Sequence, residues 1–257
     1  MKKFFLFISI LLILFLRINP VLSLDDREVL FKDALLESSI GQFEVSLDKW
    51  NQYLEKFPND TAALSNRGNV KLVLGDPKGA IKDQNDAITL DGNELDPYIN
   101  RGIAKESLGL WLQAKDDYSL VISKDKGNFS AIYNLANVEG SLDNWENARK
   151  LYENAATINP GFAMARSSLA LADYELGNFN KSEQELRKLI RRYPTFVDAR
   201  AALTALTWSK GNYGEAESNW VAVIELDPRY SEEDWLLEVR RWPPSPVNDL
   251  MKFIALK

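Results

Sequence analysis

The sequence predicts an all-α solenoid of six 34-residue helical hairpins, closed by C-terminal capping helices. Three observations carry that expectation. Glycines stand at Gly41, Gly75, Gly109, Gly177 and Gly211, spaced by 34 residues or twice that, with Asp143 in the missing place. Five residues after each comes a small side chain: Ser46, Ala80, Ala114, Ala148, Ser182 or Ala216. Pro58, Pro160, Pro194 and Pro228 keep the same register, with Gly92 and Lys126 in the two remaining places. A fixed period of this length is the mark of a repeat architecture.

The chain opens on Lys2 and Lys3, followed by an uncharged apolar run from Phe4 to Leu16. Thirteen such residues suit the core of a secretory signal and are short for a bilayer span. Arg17 ends the run, and Val21, Leu22 and Ser23 form an acceptable cleavage site. Residues 1–23 are therefore expected to be a signal peptide, removed on export by the general secretory route. The rival reading is an uncleaved anchor from Phe4 to Leu24. Lipidation on the exported side is excluded, because the chain has no cysteine.

The repeats are expected over 27–60, 61–94, 95–128, 129–162, 163–196 and 197–230. In each, two amphipathic helices of about 13 residues meet at the glycine, which closes the first in a left-handed cap. The small residue lies where the helices cross and lets them approach. The proline ends the second helix. One hairpin cannot bury its own apolar face, but stacked hairpins share one core.

Residues 231–257 are expected to cover the bare end of that core. Ser231 with Asp234 reads as a capping box opening a helix through Trp235, Leu236 and Val239. Trp242-Pro243-Pro244 should stop it. Ser245 as cap and Pro246 as first residue should then open a last helix through Leu250, Phe253 and Ile254. The prolines read either as a hinge between two capping helices or as a polyproline ligand for a partner.

The repeat resembles the tetratricopeptide repeat (TPR), on the glycine, small-residue and proline register and on segments such as Asn66-Arg67-Gly68 and Asn100-Arg101-Gly102. That resemblance implies a right-handed superhelix that binds a protein or peptide segment on its concave face. The carboxyl end, with Glu217-Ser218-Asn219-Trp220 and Arg240-Arg241-Trp242-Pro243-Pro244, is similar to exported repeat proteins of cyanobacteria and their plastid relatives. This narrower resemblance implies the thylakoid lumen or the periplasm, and a photosynthetic or envelope membrane complex as client. The implied function is an exported adaptor or assembly factor. The alternative is a structural subunit or self-associating spacer of a membrane-associated complex.

Composition narrows the chemistry. The chain holds no histidine and no cysteine, which removes the usual general base, the commonest metal ligand and the thiol nucleophile. Its net charge of −6 falls to about −9 once the three N-terminal cations are removed. Nucleic acid is not expected as a partner of so acidic a chain without a basic block. Ser46-Leu47-Asp48-Lys49 and Ser123-Lys124-Asp125-Lys126 match Ser-x-x-Lys but lack the companion motifs of an acyl-transfer enzyme. Neither a catalytic role, a cofactor, a metal nor a small-molecule substrate is expected.

Two finer expectations concern side chains. Positions seven and 23 of each repeat lie equally far from the turn, so they should face each other. Arg67 is expected opposite Asp83, Arg101 opposite Asp117, Asp33 opposite Lys49 and Leu135 opposite Leu151. Repeats five and six, with Leu169 and Glu185, then Leu203 and Asn219, do not follow the rule. As partly exposed ion pairs the charged ones would contribute at most about 1 kcal/mol each.

The concave positions of the resembled family fall here on Ser65, Asn66 and Asn69 in the second repeat, and on Asn100 and Ile103 in the third. They fall on Tyr133, Asn134 and Asn137 in the fourth, and on Leu171, Tyr174 and Trp208 in the fifth and sixth. This is an amide-rich, nearly uncharged groove. Ser65 and Ser130 stand where a clamp for an acidic tail would need cations, so an extended segment should be favoured over such a tail. Asparagine is a poor helix-interior residue. Its presence here means either that the amides meet a peptide backbone or that they fix the stacking of neighbouring helices. Of the two asparagine positions, nine is expected to serve stacking less than six does, because it faces deeper into the groove.

Overall fold

The computed structural model of the chain describes residues 24–256. The signal-peptide reading of residues 1–23 lies outside the described residues.

Twelve helices follow one another as hairpins. They are α1 (Leu24–Ser39), α2 (Phe43–Lys56), α3 (Thr61–Val73), α4 (Pro77–Leu90), α5 (Asp96–Glu106) and α6 (Trp111–Lys124). The series continues through α7 (Phe129–Ser141), α8 (Trp145–Ile158), α9 (Ala163–Glu175), α10 (Phe179–Arg192), α11 (Val197–Ser209) and α12 (Tyr213–Leu226). A final helix, α13, covers Pro244–Ala255, and the described residues include no strand. Each helix of the hairpins packs on its neighbours in sequence, and α1 also touches α3, α3 touches α5, α5 touches α7 and α9 touches α11. The odd helices therefore line one face of the solenoid, and the even helices form the other.

The periodic residues do what their chemistry requires. The five turn glycines all take positive φ, between 69° and 81°, and Asp143 adopts the same left-handed conformation at φ 62°. That conformation costs a non-glycine residue about 1 kcal/mol. Asp143 offsets part of this by accepting a hydrogen bond from Trp145 Nε1 at 2.9 Å. The six small residues at the helix crossing are all buried. In the third repeat the crossing is closest at Gly102, where a Cβ would lie 2.5 Å from the Tyr118 ring. Tyr118 is itself fully buried and cannot swing away. We expect Gly102→Ala to destabilise by about 1–3 kcal/mol from overpacking, despite a helix-propensity gain of up to about 1 kcal/mol. Urea denaturation measures the balance, and a stabilised variant would refute the close approach.

The charged facing pairs are present. Arg67 holds Asp83 through two hydrogen bonds of 2.7 and 2.8 Å, and Arg101 holds Asp117 through two of 2.6 and 3.0 Å. Lys49 meets Asp33 at 3.0 Å. Leu135 and Leu151 are half-buried against core clusters. The structure corrects the expected energetics of the two arginine pairs, which are not surface bridges, whereas Asp33 stays half exposed. Asp83 has no exposed side-chain area and Asp117 only 5%. Each carboxylate gains a second cation one helical turn on, Lys71 at 2.8 Å and Lys105 at 2.7 Å. The arginines also donate to Asn51 and Asn85 of the preceding repeats, so the network ties hairpins together. In the fourth and fifth repeats the lysine position turns acidic. Glu139 and Asp173 there receive Lys115 and Arg149 from the preceding repeats.

The carboxyl end differs from expectation. No α-helix opens at Ser231. Its hydroxyl donates back to Pro228 O within a 3-10 turn (Pro228–Ser231), and a π-turn (Trp235–Val239) follows. The last helix begins at Pro244 rather than Pro246. Pro243, standing before another proline, is held extended at ψ 153°, and Pro244 is pre-set for the first helical position. Ser245 is not the cap. Its backbone N–H is taken by Glu175 Oε2 of α9 at 2.7 Å.

The end segment does more than cover the last hairpin. Leu236, Trp242, Val247, Leu250 and Phe253 are buried in one core with Leu171, Tyr174, Leu203 and Leu206 of α9 and α11. Pro243 and Pro246 are buried too, which leaves no free polyproline ligand there.

Candidate functional site

The concave face divides into a covered and an open half. In the covered half the C-terminal segment lies across α11, α9 and α7 and reaches α5. Its path is fixed by charge. Arg240 pairs with Asp198 at the start of α11, and the same carboxylate accepts from Tyr230 Oη at 2.6 Å and Trp242 Nε1 at 3.3 Å. Arg241 reaches Glu106 at the end of α5, with its guanidinium 5.0 Å from the centroid of Trp111. Glu106 is buried and also accepts from Tyr118 Oη. Burial pushes the Glu106 carboxyl above its ordinary range, and Arg241 and Tyr118 oppose that rise.

Arg241 sits in the left-handed region at φ 54°. Trp242 N–H donates to Leu236 O at 2.9 Å, so Arg241 occupies the left-handed place of a helix-ending motif that usually takes glycine. The strain has a product: it aims the guanidinium across the groove at Glu106.

Beneath this segment lies a cavity of about 170 Å³, lined in part by Tyr133, Asn137, Tyr152, Ser167 and Ser168. Burial raises the Tyr133 and Tyr152 hydroxyls well clear of neutral pH, so both remain donors.

The open half lies between α3 and α5. Its depression of about 300 Å³ is lined by Thr61, Ala62, Ser65, Asn66, Asn69, Glu94, Asp96, Pro97 and Asn100. Ile103 is exposed farther along α5 and Val73 at the end of α3.

The sequence-expected residues thus separate. Ser65, Asn66, Asn69 and Asn100 come together in the open depression. Ser65 is largely scaffold, since its hydroxyl takes Asn100 Nδ2 at 3.0 Å and its carbonyl takes Gln84 Nε2. Tyr133 and Asn137 line the covered cavity. Leu171 and Tyr174 are buried under the C-terminal segment, with the Tyr174 hydroxyl on Asp249 at 2.8 Å, and Trp208 packs against the same core. Asn134 is half-buried on α7 and lines neither cavity.

Asparagines of both positions are bonded to neighbouring helices, Asn100 of position six among them. Both position-nine amides are engaged by the paired helix: Asn137 Oδ1 accepts from Tyr152 at 2.8 Å, and Asn69 Oδ1 from Gln84 at 3.3 Å. Position nine faces inward, but toward the hairpin partner as much as the groove. Sequence reasoning also missed Asp96, Glu106 and Asp198. They stand at concave positions two and 12 of their repeats, so the register itself could have found them.

Comparison with known proteins follows this geometry. A family model described as the tetratricopeptide repeat matches residues 141–206. PilF of Pseudomonas aeruginosa superposes with a TM-score of 0.71 at 16% identity, covering 90% of this chain and 97% of that one. The chain has the fold of tetratricopeptide repeat proteins, and the family match falls within its fourth to sixth hairpins. A tetratricopeptide repeat protein from Parabacteroides merdae matches at 17% identity and a TM-score of 0.62, over 89% of this chain and 98% of its own. YrrB, described as a TPR protein with an unusual peptide-binding site, matches at 18% identity and a TM-score of 0.54, over 75% and 96%. No curated protein matches the chain. The TPR family is a protein-interaction scaffold. Among the described residues, no three acidic, histidine or cysteine side chains gather as a metal site.

Proposed function

We propose that this TPR protein is an exported adaptor or assembly factor that holds an extended segment of a partner protein in the open half of its groove. The observation that carries the reading is the α3–α5 depression, where Asn66 and the free edges of Asn69 and Asn100 offer both donors and acceptors. An extended segment needs such pairing once it leaves water. The solved TPR protein described by its peptide-binding site supports the same use of the scaffold.

The test is Asn66→Ala combined with Asn69→Ala. Capture of partners from the exported fraction should fall several-fold. The melting temperature should fall by no more than about 4 °C, the loss of the Asn69–Gln84 bond included. A large loss of stability with capture intact would assign the amides to the scaffold alone. Asn137 is left out of this variant, because it is bonded to Tyr152 in the covered half.

Export rests on the basic and apolar N-terminus, and the carboxyl-terminal resemblance supports the thylakoid lumen or periplasm. The mature protein is expected to begin near Leu24. Mass spectrometry of exported protein that found an intact Met1 or Lys2 terminus would refute cleavage.

A second reading, the self-associating spacer, has one observation in its favour. Val29 and Leu36 on the first helix and Ile40 just past its end are each more than half exposed. Light scattering across a concentration series distinguishes the two. A dimer abolished by Leu36→Lys would favour the spacer.

A further inference from the structure

The covered half of the groove shows what chemistry this concave face accepts, because the chain's own carboxyl-terminal segment, a π-turn ending at Arg240 and Arg241, already lies on it. Its contacts are guanidinium on carboxylate. Arg240 meets Asp198, the second position of the sixth repeat, and Arg241 meets Glu106, the twelfth position of the third. The stretch stops at the end of α5. The start of the same helix, about 15 Å away at 1.5 Å per residue, carries Asp96.

Asp96 occupies the same repeat position as Asp198, and it lines the open depression together with Glu94. Both carboxylates are exposed, and no hydrogen bond or ion pair joins either side chain to another described residue. The other acidic second-position residue, Glu28, is already paired with Lys32. The nearby cations Lys71, Arg67, Lys105 and Arg101 are committed to Asp83 and Asp117. The open half therefore repeats the covered half with its guanidinium missing.

We propose that the occupant of the open groove is an extended, arginine-bearing segment of a partner protein, with an arginine on Asp96 in the way Arg240 sits on Asp198. Glu94 adds a second carboxylate at the mouth. Asn66, Asn69 and Asn100 take the backbone, and an apolar side chain lies toward Ile103. Arginine suits the place better than lysine, because its planar fork can bind a carboxylate through two parallel hydrogen bonds. This inference rests on the binding reading above and adds the chemistry of the ligand.

A displayed library of random seven-residue peptides, panned on the full chain, tests it. Enriched peptides are synthesised and their affinities measured on the wild type, on Asp96→Asn and on Asn66→Ala/Asn69→Ala. Enriched peptides should carry arginine. Replacing that arginine by glutamine should weaken wild-type binding at least tenfold, and Asp96→Asn should remove the difference between the two peptides. Affinity should also fall as salt rises. Enriched peptides without cations, lost on the asparagine variant, would leave the groove reading standing and overturn the arginine. Arginine peptides indifferent to both variants would bind elsewhere and overturn it as well. A panning that enriches nothing would overturn both readings.

Discussion

A chain cut after Ser231 is expected to lose its carboxyl-terminal half as an ordered structure, not merely a tail. The cut removes Leu236, Trp242, Val247, Leu250 and Phe253, all buried in the core of α9 and α11. Side chains of this kind contribute roughly 1.5–3 kcal/mol each on burial. Together they reach on the order of 10 kcal/mol, comparable to the whole stability of a domain. The apolar walls left behind include Leu171, Tyr174, Leu203 and Leu206, a contiguous patch of the kind that drives aggregation. We expect strong binding of a hydrophobic dye, loss of near-ultraviolet circular dichroism and aggregation on mild heating. A soluble monomer with the parent's melting temperature would show that the segment is an appendage. Two point changes separate the Arg241–Glu106 pair from the core. Arg241→Ala leaves Glu106 buried with Tyr118 as its remaining partner, a loss of about 3 kcal/mol by analogy with broken buried pairs. Arg241→Gly makes the same loss but relieves about 1 kcal/mol of left-handed strain, so it should be the more stable of the two.

The repeats were legible in the sequence because their chemistry is local. A left-handed turn wants glycine, a close crossing wants Ala114 or Ser182, and both recur at a fixed spacing. The Arg67–Asp83 and Arg101–Asp117 pairs were legible for a related reason: an antiparallel hairpin maps sequence symmetry about its turn directly onto distance. The path of residues 235–250 was not legible. It depends on Arg241 meeting Glu106, 135 positions away, and no local rule connects them. Proline and tryptophan in that segment announce a stop and a core, but not the direction of travel. The burial of the ion pairs was also hidden, since a charged residue at position 23 reads as surface until the next hairpin covers it. The groove was half legible. Register placed the amides of α3 and α5, but only the fold shows that the chain fills its own groove beyond α5.

Replacing Asp83 by alanine should cost about 3 kcal/mol, several times what a surface pair contributes. The carboxylate has no exposed area and holds two cations, Arg67 at 2.7 Å and Lys71 at 2.8 Å, that are themselves only 18% and 19% exposed. Without it, two positive charges remain close together at a partly dry site. The loss should be local, because each hairpin touches only its neighbours. Hydrogen exchange should therefore quicken in α2 to α5 and change little in α9 to α13. Asp83→Asn keeps the volume and should recover only part of the loss, since a neutral amide cannot balance two cations. The double change Arg67→Ala with Asp83→Ala should cost less than the sum of its single changes. Salt distinguishes the cause. A buried pair is weakly screened, so the penalty should persist in 1 M sodium chloride. A cost below about 1 kcal/mol that vanishes in salt would return Asp83 to the class of surface bridges and leave the shared register of the two networks, Arg67–Lys71–Asp83 and Arg101–Lys105–Asp117, without an energetic reason.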